Sequence, residues 1–427
     1  MRPYIYSLIF LLGVNAGALT LDEAIEKTLK THPDAHAASL RYESAAAASI
    51  SAESARYPRI DLNAAYYPTK TYVMPVSGAF STKQSDGFHT DVTGVYSLWD
   101  FGRSKKKISA ALSFQEGTQG SKNLTASELI EQVWVRYYGV AYAASLIEAA
   151  ESSVKFYEGE YTRALNMRIN GLKTEADALR FKASLLESRD RLESARNIYD
   201  KTRLSLALLA GEDTLVTGIQ GSLDQRSNTI MAKEYTPELL RQELRERNPR
   251  LKVLSAAILQ SKALSDAANT ERYGEVMLVA SAGHDNSLSV YNSYQTGIMG
   301  TIPLYDGGKL SAEAQKSRIA HSIALKEFES SERVLWQELY GAYLDLQHAD
   351  ETITAKEGVI EATGKTLRLI EERYKQGLAT YLDVLEAQNT LDNGRTGLAD
   401  AKYQKIRAYA QIQKLLNKGC DNDLCKN

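Results

Sequence analysis

The chain carries one short sequence twice: residues 171–177 read GLKTEAD, and residues 377–383 read GLATYLD. Glycine, leucine, threonine and aspartate recur at the same places, 206 residues apart (377 − 171). In both copies the glycine suits the left-handed residue that ends one helix, and the threonine suits the N-cap of the next. The repeated stretch therefore predicts two sharp turns between helices in a duplicated chain.

Helix-forming residues without proline extend on both sides of these turns. Two long runs cover residues 103–170 and 309–376, and two shorter runs cover 172–209 and 378–416. At about 1.5 Å per residue, each long run forms a helix about 100 Å long. Helices of globular domains are several-fold shorter, so these runs predict helical rods that pack side by side.

Outside the turns, the duplication reaches nearly the whole chain. Residues 31–33 (THP) correspond to 247–249 (RNP), and residues 98–102 (LWDFG) correspond to 304–308 (LYDGG). Each repeat is expected to hold short helices, a β-hairpin and two long helices. The predicted division is 1–18 for a signal peptide, 19–210 for the first repeat, 211–233 for a linker, 234–418 for the second repeat and 419–427 for a tail.

Alternating apolar and polar residues predict the two β-hairpins, at about 59–99 and 275–303. Their strands are expected to be about ten residues long, the length that a tilted strand needs to cross a bilayer. Loops are expected at 75–87 and 284–289. Proline, aspartate and glycine mark the strand–helix junctions, which are Pro58, Asp100 and Gly102 in the first repeat and Pro303, Asp306 and Gly308 in the second.

Both ends of the chain have features of an exported protein. Arg2 precedes a short apolar run that ends in Ala16-Gly17-Ala18, the pattern of a cleaved secretory signal peptide. Cys420 and Cys425 are the two cysteines, and in an oxidising compartment they can form a local disulfide. A metal site is less favoured there, because no further cysteine or histidine lies nearby.

Composition and motifs argue against several functional classes. A formal net charge of −2 lacks the basic excess of a nucleic-acid-binding protein. No phosphate-binding loop, G-x-S-x-G or C-x-x-C sequence is present. His32 and His36 have helical spacing but no third ligand. We therefore predict no enzyme, no catalytic residues, no cofactor and no metal site.

Four strands per chain are too few to close a membrane barrel, and an open strand edge is not tolerated in lipid. If the hairpins lie in a membrane, several copies must share one barrel, and three copies supply twelve strands. The opposing hypothesis is a periplasmic coiled-coil structural or adaptor protein without a membrane barrel. The paired alternating strands in each repeat favour the first hypothesis.

The ordered set of repeat, junction and turn resembles the TolC-like outer membrane efflux and export channels (outer membrane factors), over essentially the whole mature chain. This resemblance implies a mixed α/β membrane protein, a homotrimer with a twelve-stranded β-barrel that continues as a long periplasmic α-helical barrel. It also implies a place in the outer membrane of a Gram-negative cell, extending into the periplasm. The expected partners are an inner membrane transporter and a periplasmic adaptor, for export of proteins (type I secretion) or small molecules (multidrug efflux).

Asp383 and Glu386 match the acidic ring at the periplasmic entrance of these channels. Their i, i+3 spacing puts both carboxylates on one helix face, and three copies supply six carboxylates that attract cations. The alternative is that they only complement the N-terminus of their helix.

Asp177 and Tyr374 match positions that help to hold the entrance of related channels closed. The basic partner expected for such a latch falls on Ala379, and a polar partner falls on Ala176, so the usual latch is incomplete here. The alternative role for Asp177 is to cap its helix.

The two turns match the surface on which the adaptor docks in this family. The docking residues implied are Gly171, Leu172, Thr174, Gly377, Leu378 and Thr380. An ordinary helix–turn–helix role, with glycine in the turn and threonine as the N-cap, is compatible with docking.

Overall fold

The structure is a computed structural model that describes residues 18–216, 218–230, 235–286 and 290–418. Most of the predicted signal peptide, and both Cys420 and Cys425, lie outside these residues. Among the described residues, no helix combines the length and the apolarity that crossing a bilayer would require.

The two repeats have the same order of elements. The first repeat contains α1 (Leu21–Thr31), α2 (Pro33–Glu53), β1 (Arg59–Val76), β2 (Ala79–Trp99), α3 (Arg103–Ile169) and α4 (Glu175–Leu209). A short helix, α5 (Leu223–Thr229), lies in the connection. The second repeat contains α6 (Pro237–Arg247), α7 (Pro249–Thr270), β3 (Glu275–Asp285), β4 (Tyr291–Thr301), α8 (Lys309–Lys375) and α9 (Tyr381–Leu415).

The four strands form one antiparallel sheet in the order β1-β2-β3-β4. Polar residues such as His89, Asp91 and Asp285 share one face of the sheet, because they stand at opposed positions of the register. Apolar residues such as Leu62 and Val92 stand opposite each other on the other face. This alternation divides the sheet into a polar and an apolar surface.

The loop predicted at 75–87 is wrong. β1 has 18 residues and β2 has 21, and they are joined by a tight turn at Ser77-Gly78. Both turn residues have positive φ, 50° for Ser77 and 86° for Gly78, as a two-residue hairpin turn requires. The β2–β3 ladder begins only at His89, so the first hairpin continues beyond the sheet as a two-stranded ribbon.

The described chain divides into two compact units. One unit holds residues up to Ala37, Asn123–Asn248 and the residues from Arg333 onward, and the other holds Ala38–Lys122 and Pro249–Glu332. The sheet belongs to the second unit, and the turns between the long helices belong to the first.

The connection between the repeats lies along α9 within the first unit. Lys402 is 8% exposed, and its ammonium group lies 2.7 Å from the Asp224 carboxylate. The Lys405 ammonium group donates to the Ser227 carbonyl at 2.8 Å and lies 2.7 Å from the Asp350 carboxylate. In each of the two contacts with the connection, the partners are 178 residues apart in sequence. Helices α5 and α9 therefore lie side by side with a constant offset in residue number.

Candidate functional site

The first tip, residues 170–177, joins α3 to α4. Gly171 has a φ of 73°, and its N–H donates to the Arg168 carbonyl at 2.9 Å. The Leu172 N–H donates to the Met167 carbonyl at 2.9 Å. This pair of bonds is a Schellman motif, which satisfies carbonyls that the end of a helix otherwise leaves free.

The second tip, residues 376–383, joins α8 to α9 in the same way. Gly377 has a φ of 76° and donates to the Tyr374 carbonyl at 3.0 Å, and Leu378 donates to the Arg373 carbonyl at 2.8 Å. The sequence identity between the two turns therefore corresponds to an identity of backbone conformation.

Each tip ends in a reciprocal cap. The Asp177 N–H donates to the Thr174 hydroxyl at 3.3 Å, and the Thr174 N–H donates to the Asp177 carboxylate at 3.3 Å. At the second tip, the Asp383 N–H donates to the Thr380 hydroxyl at 3.3 Å, and the Thr380 N–H donates to the Asp383 carboxylate at 2.7 Å. The capping role weighed for Asp177 is thus present, and Asp383 has the same role.

These bonds affect the charge of Asp383. The backbone N–H of Thr380, followed by its hydroxyl, donates to the carboxylate and lowers the pKa of Asp383. Asp383 and Glu386 are both exposed, and they line one side of a shallow groove. Thr363, Thr366 and Ile370 of α8 line its other side. The predicted acidic pair is therefore accessible, and its cap keeps the Asp383 carboxylate ionised at neutral pH.

A leucine is exposed at each tip, directly after the turn glycine. Leu172 is 67% exposed and Leu378 is 66% exposed. The same residue of the repeated sequence is therefore exposed at both turns. Ala379, the residue after Leu378, is partly buried and packs against the buried cluster beneath the tips.

A buried aromatic cluster lies beneath the tips. Phe181 packs edge-on against Tyr381, with ring centroids 4.6 Å apart, and against Tyr374, with centroids 5.9 Å apart. All three rings are buried. The ammonium group of Lys173 lies 4.4 Å from the centroid of the Tyr374 ring. Four helices contribute to this cluster, which fixes the position of both tips.

Tyr374 is fully buried, although its family position suggested a gate residue. Within the described chain, its hydroxyl has no hydrogen-bond partner. Burial, followed by the nearby Asp177 carboxylate, raises the pKa of Tyr374 to about 12. Phe181 and Tyr381 beside it were not predicted from the sequence, although each is an aromatic residue within the first two turns of a capped helix.

The strand–helix junctions are the second pair of matching features. Asp100 accepts from the N–H groups of Gly102 and Ser104 at 3.0 Å and 2.6 Å. Burial opposes ionisation of Asp100, but these bonds outweigh it and lower its pKa. Pro58 directly precedes β1, opposite the end of the strand that leads to this junction.

The second junction repeats this arrangement. Asp306 accepts from the N–H groups of Gly308 and Leu310 at 2.9 Å and 2.7 Å. These two bonds, with the Leu310 bond first, lower the pKa of Asp306. Pro303 lies between β4 and this cap. The side chains of the junction aspartates therefore satisfy N–H groups at the starts of the two 67-residue helices.

A comparison with protein families gives a match over most of the chain. The family model for outer membrane efflux proteins matches residues 24–212 and 240–418. The two matched segments correspond to the two repeats.

Curated relatives are similar over about three quarters of the chain. The probable efflux pump outer membrane protein TtgC of Pseudomonas putida is 22% identical over 335 residues, 76% of this chain and 67% of the relative. The cation efflux system protein CusC of Escherichia coli K12 is 22% identical over 337 residues, 76% of this chain and 72% of the relative.

Solved structures share the fold. A structure of CusC, from a study of folding and transmembrane channel formation, aligns with a TM-score of 0.83 at 19% identity, over 93% of this chain and 91% of its own. The outer membrane protein VceC of Vibrio cholerae aligns with a TM-score of 0.79 at 18% identity, over 93% and 96%. The fold class expected from the sequence is confirmed by these structures.

Proposed function

The chain belongs to the outer membrane efflux protein family, and we propose that it is the outer membrane channel of a pump that exports small molecules. Its place is the outer membrane, from which it extends into the periplasm, and the members of its family are channels rather than enzymes. Such a channel is a passive duct, and the energy for transport comes from its partner transporter.

One observation carries the proposal: a four-stranded sheet with two free edges and one apolar face. Within the described chain, β1 and β4 each pair with one neighbour only. Ile60, Leu62 and Ile298 on the apolar face are 71%, 69% and 72% exposed. In lipid the edges must be paired, so we propose a homotrimer in which twelve strands close one barrel. The apolar face then meets lipid, and the polar face lines the lumen.

The relatives favour small molecules as the exported class. Their names refer to toluene, solvents, antibiotics and cations. Deletion of the gene should raise the accumulation of a fluorescent dye or toluene in the cells, and the wild-type gene should restore efflux. A loss of secreted protein with unchanged accumulation would instead indicate type I secretion. No change in either would contradict the proposal.

We propose that the two tips dock a periplasmic adaptor, which connects the channel to an inner membrane transporter. The exposed Leu172 and Leu378 supply the apolar contact. Leu172→Asp with Leu378→Asp should abolish efflux and crosslinking to the adaptor while the heat-sensitive trimer still forms. Leu172→Ile with Leu378→Ile, which keeps the apolar contact, is the matched control. Efflux that survives both aspartates would exclude docking at the tips.

We further propose that Asp383 and Glu386 form a cation-attracting ring at the periplasmic entrance. Both side chains are exposed on one face of α9. Asp383→Ala with Glu386→Ala should weaken the block of bilayer conductance by divalent or trivalent cations. Thr380→Ala is the control, since it breaks the same cap without removing a charge. Unchanged block in the double variant would exclude the ring.

Asp177 and Tyr374 are proposed as parts of the gate, without the basic latch partner that Ala379 replaces. Asp177 fixes the start of α4 through its cap, and the Tyr374 ring supports the tip from below. Asp177→Ala should therefore raise the open fraction of single channels. Tyr374→Phe keeps the ring and removes only the unpartnered hydroxyl, so it should leave gating unchanged. Equal behaviour of the two variants would contradict this assignment.

A further inference from the structure

A histidine on the polar face of the sheet lies between two carboxylates. The Nε2 atom of His89 lies 3.3 Å from Oδ1 of Asp91, and its Nδ1 atom lies 3.4 Å from Oδ2 of Asp285. His89 and Asp285 are opposed in the register, at the end of the β2–β3 ladder. The three side chains therefore link the hairpin of the first repeat to that of the second.

The surroundings hold Asp91 and Asp285 in place. Asp91 accepts from the Thr93 hydroxyl at 2.7 Å and from the Asn63 amide at 3.1 Å. The side chain of Asp285 is only 11% exposed. These contacts and the burial of Asp285 fix the two carboxylates on either side of the imidazole ring. The three side chains therefore have a defined geometry.

The protonation state of the ring sets how many of these contacts can be hydrogen bonds. A neutral imidazole has one N–H donor and one lone pair, whereas an imidazolium has two donors. Because both ring nitrogens of His89 face a carboxylate oxygen, only the imidazolium can donate on both sides. Histidine is also the side chain whose charge ordinarily changes between about pH 5 and about pH 8. Among the described residues, no group of three or more His, Cys, Asp or Glu side chains is placed to hold a metal ion.

The other charges near His89 can be counted. On β1, the ammonium group of Lys70 lies 5.2 Å from the ring centroids of Tyr67 and Tyr72 and interacts electrostatically with Asp285. Together, Lys70, His89, Asp91 and Asp285 form a belt of ionisable side chains on the polar face. The belt has a net charge of −1 per chain when His89 is neutral. Protonation of His89 brings the belt to zero.

Farther along β1, Arg59 and Asp61 neutralise each other at 2.8 Å. His284 is next to Asp285 in sequence but on the opposite face of the strand, where its Nδ1 lies 2.8 Å from the Asn292 side chain. It therefore does not belong to the belt, and it provides a matched control.

We propose that His89, held between Asp91 and Asp285, is a pH-dependent determinant of charge selectivity in the channel lumen. The inference rests on the proposed function, because the polar face lines a lumen only in a closed barrel. Three copies would carry a net charge of −3 when the histidines are neutral and of zero when they are protonated. A negative belt attracts cations and a neutral belt does not.

The test uses the purified full-length protein in planar bilayers, with a KCl gradient across the membrane. The reversal potential gives the cation-to-anion permeability ratio. For the wild type, this ratio should fall by about twofold between about pH 8 and about pH 5. His89→Gln should keep the ratio constant over this range, and His284→Gln should behave as the wild type does.

Asp285→Asn is the second variant, and it tests the proposal even if His89→Gln assembles poorly. It removes one lumen charge, so it should lower the ratio already at about pH 8. A wild-type ratio that does not change with pH would overturn the inference, as would an unchanged pH dependence in His89→Gln. A wild-type protein that forms no channel would contradict the proposed function instead.

Discussion

The two helical tips of this chain have almost the same conformation, whereas its two hairpins differ. Each tip has a glycine with φ near 75°, two Schellman bonds and a threonine–aspartate cap. The strands of the first hairpin have 18 and 21 residues, but those of the second have 11 each. The two repeats therefore have the same conformation at the tips but differ in the length of their hairpins.

The difference follows from how backbone hydrogen bonds are satisfied. A helix end leaves four carbonyls and the next helix start leaves four N–H groups without partners, so a short turn between them has few solutions. A hairpin can be lengthened because each added pair of residues brings its own bonds. The need to satisfy backbone hydrogen bonds therefore restricts the conformation of the tips, whereas it leaves the length of the hairpins free.

Loss of the aromatic cluster should have the largest effect on this comparison, because it supports both tips at once. Phe181→Ala removes a fully buried ring and should cost about 3–5 kcal/mol of local stability. Amide hydrogen exchange at both tips should rise together, while the hairpins stay protected. Leu179→Ala, at a position of α4 that is 56% exposed, is the control. Equal exchange in the two variants would contradict a shared core.

The turn glycines should have the next largest effect. Gly171→Ala and Gly377→Ala each force a side chain into the left-handed region and should cost about 1–2 kcal/mol. A Cβ atom would meet nothing within 4 Å at either position, so the two costs should be equal. Thermal unfolding of the trimer measures them.

Gly358→Ala provides the control of opposite sign. Gly358 lies within α8 and also has free space for a Cβ atom. Alanine should stabilise the helix there by about 0.5–1 kcal/mol. A clear difference between the two tip variants would show that the tips are not energetically equivalent.

The pH dependence of the second tip should be a smaller effect. Because the folded-state pKa of Asp383 is lowered by its cap, its stabilising contribution is present above the unfolded value of about 3.9 and is lost as pH falls through the folded value. Asp383→Asn should therefore remove the part of the fall in melting temperature between about pH 5 and about pH 2 that comes from this carboxylate. Glu386→Gln, which changes a charge on the same face, should retain it.

Shortening the first hairpin should have the smallest effect. Replacement of residues 68–86 by Asn-Gly would join Tyr67 to Gly87, which already stand opposite each other. Since the ribbon satisfies its own hydrogen bonds, trimer yield and efflux should not change. Loss of the heat-sensitive trimer would show that the ribbon has an assembly role, and the comparison would have to be revised.

The helices were largely predictable, because single residues determine where each helix begins and ends. The long helix expected over 103–170 spans Arg103–Ile169, and the one expected over 309–376 spans Lys309–Lys375. Aspartate and glycine at the start, and glycine at the end, are local determinants that do not depend on the rest of the fold.

The extended ribbon and the buried site were not predictable in this way. The ribbon leaves the sheet, so both of its faces are exposed, and the alternation that identifies a strand is lost. Pro75 also looked like a loop residue, although an edge strand tolerates it. Burial of Tyr374 depends on which helices cover its side, and His89 meets Asp285 only through pairing between the two repeats. Neither relation is local in sequence.

The register between the connection and α9 has a consequence for the order of folding. Asp224 and Ser227 find Lys402 and Lys405 only after 178 further residues have been made. Contacts of such high sequence separation form late, because a long loop must close before they are gained. The contacts that hold the connection against α9 can therefore form only after nearly the whole chain has been made. Until then, Asp224 and the Ser227 carbonyl lack their lysine partners, and α9 is the segment that completes the protomer.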